Sequence, residues 1–436
     1  MKLIRHFSTI ALLTLALPAK SVELTWEDCV KYVSESNPTL ESAKKDWEAL
    51  AQNEKVLMAA YLPKLSASTS VTRIGASGQS GSGGSFVSNG VVLGGGSASQ
   101  IQTNYFAALN ASQNIFAGFK DQAKVDQAEW RTKNLFWTYV AAKSTVSQTL
   151  KEAFANLILA QENMSLSQSI TERRENNYKL VSVRYESGRE NKGSVLLAEA
   201  YLEQSRLDVI KAKDSLLVAQ SKLKSLMNKD YLDDVQVSGA IPLESLSTKN
   251  KDVSDLAFET PAYNQAFALE KASDLEIKVA RSAFLPSLDL TGNVNRQGES
   301  YFPEKERWTV ALTLTVPIFD GFKDVGGIKA ATLNKYAAEG RKKTTLLDLI
   351  PKLRDAQTQA KQSDIKYSID DKFQKAATSR AEIARAKYNN GLITFEDWDI
   401  IESDLIQRQT NFIQSKRDRV AKYASWETIL GRSSIP

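Results

Sequence analysis

Five acids crowd the stretch "TFEDWDIIESD": Glu396, Asp397, Asp399, Glu402 and Asp404. Carboxylates this close can work as an acid–base pair, hold a cation, or favour the start of a helix. A hydrolytic pair needs two carboxylates in a recognisable motif, and none stands here. The only histidine, His6, lies in the N-terminal leader, so imidazole is missing from any metal site or proton relay of the mature chain. Helix-start chemistry fits the spacing directly, with Thr394 as N-cap and Asp397 at the third helical position, beside the positive helix end. A second pattern lies nearby and recurs: Tyr185-Glu-Ser-Gly188, flanked by Arg184 and Arg189, and Tyr388-Asn-Asn-Gly391, preceded by Lys387. Each glycine suits the left-handed cap that ends a helix, and Asn191 and Thr394 can cap the helix that returns.

These sites must be positioned by a large structure. The chain has 436 residues, 56 Lys plus Arg against 51 Asp plus Glu, and one cysteine. The formal charge of +5 is partly in the leader and does not argue for nucleic acid. Cys29 excludes an intrachain disulfide, and "TWEDC" is not a lipoprotein cleavage box. The start reads as a signal peptide over 1–21, with "MKLIRH" basic, "FSTIALLTLALPA" apolar, and cleavage after Ala19 or Ser21. No later run has 18 continuous apolar residues, so an outer membrane would be entered as a β-barrel.

The chain repeats itself. An offset of 223 lays Asn37-Pro38 on Thr260-Pro261, and "AAYLPKL" on "SAFLPSL". After a longer loop in the first copy the offset becomes 203. It lays "IFAGFKD" on "IFDGFKD", "RYESG" on "KYNNG", and "LKSLMN" on "WETILG". The expected organisation is a first repeat over 22–227, a linker over 228–260 and a second repeat over 261–436.

Each repeat predicts a helix (39–61, 262–284) stopped by Pro63 or Pro286, because proline disfavours helical geometry in the residue before it. Strands follow at about 65–72 and 105–115, and at about 287–294 and 308–317. Leu65, Ala67, Thr69 and Val71 alternate with Ser66, Ser68 and Ser70. Trp308, Val310, Leu312, Leu314, Val316 and Ile318 alternate with Thr309, Ala311, Thr313 and Thr315. Tyr105, Ala107, Leu109, Ala111 and Ile115 take the apolar register against Asn110, Ser112 and Asn114. One apolar and one small or polar face is the pattern of a membrane barrel strand. Trp308, Val310, Leu312 and Leu314 are then the lipid-facing set. A half-buried soluble sheet alternates in the same way. The Gly- and Ser-rich residues 73–104 read as a mobile surface loop, and 295–307 as its shorter equivalent.

Long helical hairpins are expected over 118–227 and 321–431. Seams such as Val146, Leu150, Phe154 and Leu157, or Leu349, Leu353, Ala356 and Ala360, suit helix-on-helix coiling. Pro351 is expected to kink or locally break its helix. Four strands cannot close a membrane barrel, so several chains must share one.

On the two aromatic-Leu-Pro-x-Leu turns, the two "IF-x-GF-K-D" junctions and the two Tyr-x-x-Gly turns, the chain resembles the TolC-like outer-membrane efflux protein family. The resemblance covers nearly the whole mature chain. It implies an α+β membrane channel-tunnel: a homotrimer sharing a 12-stranded barrel in the Gram-negative outer membrane, above a periplasmic α-helical coiled-coil tunnel. It implies work with a periplasmic adaptor (membrane fusion) protein and an inner-membrane transporter, in drug efflux or type I secretion, with no cofactor and no enzymatic activity. The linker and both chain ends would belt the tunnel. Asp397 matches the family's first ring aspartate at the periplasmic entrance. Ile400 replaces the second, for which Asp399 or Glu402 would substitute. The tips bearing Arg184, Tyr185, Gly188, Arg189, Lys387, Tyr388 and Gly391 would dock the adaptor. A secreted coiled-coil structural or adhesion protein is the competing reading; it leaves the four alternating strands unexplained.

Overall fold

The computed structural model describes residues 22–75, 86–88, 91–93, 101–232, 234–243, 246, 252–301 and 304–436. The expected signal peptide over 1–21 lies outside them, as does most of the loop read over 73–104. In chain order the elements are β1 (Val22–Leu24), α1 (Trp26–Ser36), α2 (Pro38–Met58), β2 (Lys64–Gly75), β3 (Phe86–Ser88), β4 (Val91–Leu93), β5 (Ile101–Ala117), α3 (Lys120–Glu186), α4 (Lys192–Leu226), β6 (Val235–Val237), α5 (Val253–Glu259), α6 (Pro261–Arg281), β7 (Ser287–Gly298), β8 (Lys305–Thr315), α7 (Lys323–Asn389) and α8 (Phe395–Ile429).

The offsets hold to the residue. α2 and α6 both have 21 residues, α3 and α7 both 67, and α4 and α8 both 35. At about 1.5 Å per residue each 67-residue helix is roughly 100 Å long. α7 runs through Pro351 without a break, so of the kink or break expected there the break is absent. Proline there loses one hydrogen bond at a cost of about 3 kcal/mol. Leu349, Leu353 and Ala356, buried with Leu256, Trp426 and Leu430, hold the helix on either side.

The chain divides into two compact units. One comprises Trp47–Leu135 and Ala266–Lys342. Its centre is an antiparallel sheet in the order β2-β5-β7-β8. The cross-strand register collects Ala67, Leu109, Val294 and Trp308 into one row, and Leu65, Ala111, Gly292 and Val310 into the next. Opposed residues share a face, so these rows are one apolar surface. Ser66, Asn110, Asn293 and Thr309 form a row on the other face, where Asn293 donates to Asn110 and Asn114 donates to Asp289 at 2.7 Å.

Three strand expectations are corrected. β2, β5 and β7 run further than expected, and β7 and β8 take up most of 295–307. β8 stops at Thr315, so Val316 and Ile318 are outside the strand; Pro317 has no N–H to donate. A register shift between Asn114 and Phe116 takes Ile115 out of the ladder and pairs Phe116 with Leu288. Within the Gly-rich segment β3 and β4 pair antiparallel, Phe86 with Leu93 and Ser88 with Val91.

Each helix-to-strand turn is a single 3₁₀ turn closed by Leu62 N to Ala59 O and Leu285 N to Ser282 O, both 3.1 Å. Leu62 and Leu285 are extended, as Pro63 and Pro286 require. The strand-to-helix handovers use two consecutive left-handed residues, Gly118-Phe119 and Gly321-Phe322. Phe119 packs edge-on to Phe116 and Phe322 to Phe319.

The other unit comprises the N-terminal stretch through Asp46, Phe136–Gln265 and Lys343–Pro436. β1 pairs in parallel with β6. Leu24, Trp26, Cys29, Val33, Leu150, Phe154, Leu157, Val235, Val237 and Ile435 share one core. The N-terminal segment, the linker and the C-terminus thus close on the same stretch of α3. Burial pushes the Cys29 thiol up to about 12, which leaves it inert. Lys151 and Glu427 form a buried ion pair beside this core. Two helices had no sequence expectation. α1 is capped by Thr25 with Asp28 in a capping box, and α5 by Asp252.

Candidate functional site

The ends of α3–α4 and α7–α8 lie in the second-described unit and form the site. Both long helices end in the same hydrogen-bond pattern. Arg189 N reaches Arg184 O at 2.8 Å and Gly188 N reaches Tyr185 O at 2.9 Å. Leu392 N reaches Lys387 O and Gly391 N reaches Tyr388 O, each at 2.9 Å. Gly188 and Gly391 both have φ of 71°, the left-handed cap that glycine makes without strain. Asn191 Oδ1 then accepts from Ser194 N, and Thr394 Oγ1 from Asp397 N. The opposite ends of the hairpins repeat the motif with Asn228 and Gly431.

The side chains of the two tips differ. Tyr388 is 1% exposed, stacked on Trp398 with ring centroids 4.5 Å apart, and donates from its hydroxyl to Glu190 at 2.9 Å. Burial first, and then that bond, push its phenol above the ordinary range. Arg184 donates to Tyr388 O at 2.6 Å and lies over the Tyr388 ring. Of the residues expected to dock an adaptor, Tyr388 is thus buried and the half-buried Arg184 ties the tips together. Tyr185, Gly188, Arg189, Lys387 and Gly391 are on the surface.

The three expected gate acids separate in the same way. Asp397 is exposed, and its carboxylate accepts from the Thr394 hydroxyl at 2.9 Å. Asp399 is paired with Arg174 at 2.7 Å, and Arg174 also lies over the Tyr201 ring. Glu402 is 1% exposed between Arg173 at 3.0 Å and Arg385 at 3.7 Å. Neither Glu402 oxygen receives an aligned hydrogen bond, so charge alone holds it. Burial lowers the Arg173 guanidinium below its ordinary range, and Glu402 pulls against that. Within the chain Asp399 and Glu402 are thus counterions of arginines, and Ile400 is exposed.

Arg173, Arg174, Tyr201 and Trp398 were not singled out from sequence. A signal was present in the differences between copies. Ala376 and Ala377 replace Arg173 and Arg174, while Leu196 replaces Asp399 at the offset of 203.

The profile of the family described as "Outer membrane efflux protein" matches residues 30–229 and 254–432. The chain belongs to that family. Among curated relatives, it is 25% identical over 278 residues to the nickel-cobalt-cadmium resistance protein NccC of Alcaligenes xylosoxydans xylosoxydans, covering 62% of this chain and 59% of NccC. It is 20% identical over 341 residues to the cation efflux system protein CusC of Escherichia coli K12, covering 75% and 73%. Among solved structures, the CmeC outer membrane channel of Campylobacter jejuni superposes with a TM-score of 0.78 at 21% identity, over 93% of this chain and 85% of that one. The outer membrane protein VceC of Vibrio cholerae does so at 0.76 and 17%, over 93% and 96%. The fold is that of the family's channel-tunnels, with strands and long helices from a duplicated unit. No described helix is long and apolar enough to cross a membrane.

Proposed function

We propose that the chain is the outer-membrane exit duct of a tripartite efflux pump or type I secretion system, acting as a homotrimer with a periplasmic adaptor and an inner-membrane transporter. One observation carries the reading. A four-stranded sheet has an apolar face from edge to edge, and its outer strands β2 and β8 each pair on one side only among the described residues. Four strands are too few to close and eight is about the minimum, so copies must complete the barrel. Three copies supply twelve. The apolar rows then meet lipid and the Asn110–Asn293 row lines the lumen. A secreted coiled-coil protein would have no use for that sheet.

Fractionation tests the reading: a detergent-dependent trimer in the outer membrane is expected, and a soluble monomer overturns it. Leu312→Arg should lower the yield of that trimer more than Thr313→Arg, since a charge at the lipid midplane costs about 2–4 kcal/mol. The cargo follows from the pump. Two relatives are named for metal resistance or cation efflux, so metal-cation tolerance is the first export phenotype to measure. For the entrance, Asp397→Asn should weaken block by multivalent cations in planar bilayers; unchanged block leaves Asp397 only its capping bond.

A further inference from the structure

The two strand-to-helix motifs differ at a single position, "IFAGFKD" against "IFDGFKD", which puts Ala117 opposite Asp320 in the alignment of copies. The two turn motifs differ where Lys64 in "LPKL" stands against Ser287 in "LPSL". Inside the chain the equivalent positions meet: Ala117 pairs with Ser287 at the end of the β5–β7 ladder. The remaining members are both exposed: Asp320 in the stretch that leads from the edge strand β8 to α7, and Lys64 at the start of the other edge strand, β2. They carry opposite charges.

We infer that β8 of one copy pairs with β2 of the next in the register that β5 and β7 use within the chain, closed by an Asp320–Lys64 ion pair. The inference rests on the shared-barrel reading and adds its register. Moving β5 by 203 and β7 by 223 turns the pair Leu109–Val294 into Leu312–Val71, and Phe116–Leu288 into Phe319–Leu65. Both new pairs are apolar: Leu312, Val71 and Leu65 lie on the apolar face, and Phe319 follows the end of β8.

Three further observations agree. Gly118 sits hard against the neighbouring turn: a Cβ there would come 2.6 Å from Leu285 Cβ and 2.9 Å from Ser282 O. Its counterpart Gly321 has the same left-handed backbone and nothing within 4 Å. The transposed contact places Leu62 and Ala59 of the next copy in that space. Ile318 and Phe319 are 95% and 74% exposed in the single chain, and Leu62 is exposed as well. Pro317 corresponds to Asn114, at the margin of the register shift in β5, and a bulge is where a strand tolerates proline. Beside the pair, Asp324 is raised by its own burial and by the charge of Asp320. A lysine from the next copy would offset that repulsion.

The experiment is a disulfide scan in the full chain in outer membranes. Native Cys29 is buried, so it stays out of the reaction. On mild oxidation Asp320→Cys with Lys64→Cys should give covalent dimers and trimers several-fold more abundantly than Asp320→Cys with Ser66→Cys. Preferential crosslinking to Ser66→Cys, or none in a normal trimer, overturns the register and leaves the trimer standing. Absence of any trimer in the unsubstituted chain overturns both. A charge swap gives an independent readout that needs no new thiol. Asp320→Lys should lower the trimer's dissociation temperature, and adding Lys64→Asp should restore it; failure to restore overturns the ion pair.

Discussion

Tyr185 and Tyr388 each stand three residues before a glycine with the same φ, in caps with the same two hydrogen bonds, yet one is 43% exposed and the other 1%. The neighbours explain the difference. α8 presents Trp398 where α4 presents Val195, and the first tip supplies Arg184 and Glu190 where the second has Lys387 and Ile393. Arg184 and Glu190 both reach Tyr388. The backbone of a tip belongs to the repeat. Its surroundings depend on which copy lies beside it within the chain. One tip is therefore finished inside the protomer, and the other presents its tyrosine outward.

The sharpest way to break this comparison is to remove what finishes the second tip. Trp398 is fully buried among Val181, Ala198, Ala384, Tyr388 and Phe395. Trp398→Ala should cost about 3–5 kcal/mol, and Val195→Ala at the equivalent place about 1 kcal/mol or less. Hydrogen exchange at residues 384–400 of the detergent-solubilised protein measures it. Equal loss of protection in the two variants would mean that the stacked cluster does not hold the tip.

A second contrast is ionic. Glu402 faces two arginines, whereas Glu199 at the equivalent place is exposed. Glu402→Gln leaves Arg173 and Arg385 facing each other without a counterion. Breaking a buried pair costs about 3–5 kcal/mol; Arg385 is 42% exposed, so solvent screening brings the expectation to about 2–3 kcal/mol. Glu199→Gln should stay within about 0.5 kcal/mol. Thermal unfolding of both variants decides, and Arg173→Gln added to Glu402→Gln should recover part of the loss.

Much of this was legible because repeats announce backbone. The Leu-Pro turns, the glycine caps, Asn191 and Thr394 as N-caps, and the alternating faces of β2, β5, β7 and β8 follow from local chemistry that appears twice. The missing parts depend on distance. Asp399 and Arg174 are 225 residues apart, so a local reading of the helix-start acids does not contain their ion pair. β1 and β6 are three residues each and pair across most of the first repeat. The helix at Pro351 survives because residues on other helices pack beside it, which a propensity rule does not contain.

The smallest effect separates the two tyrosines by their hydroxyls alone. Tyr388→Phe deletes the bond to Glu190, which accepts as a carboxylate, so about 1.5 kcal/mol should be lost. The exposed Tyr185 should change little as Tyr185→Phe. The pH dependence supplies the sign. Burial and the Glu190 bond raise the Tyr388 phenol above its ordinary value of 10.0, so the folded state holds the proton more tightly than the unfolded state does. Its contribution is fully present below pH 10 or so and falls away as pH rises toward the folded value. Tyr423, raised to about 12 by burial and by its bond to Asp364, behaves in the same sense. The alkaline limb of the stability curve should therefore become shallower in Tyr388→Phe. Phenolate absorbance during the same titration should lose one late-ionising group in Tyr388→Phe. A titration that keeps all its late-ionising groups in Tyr388→Phe would take the buried hydroxyl out of the second tip and overturn the comparison.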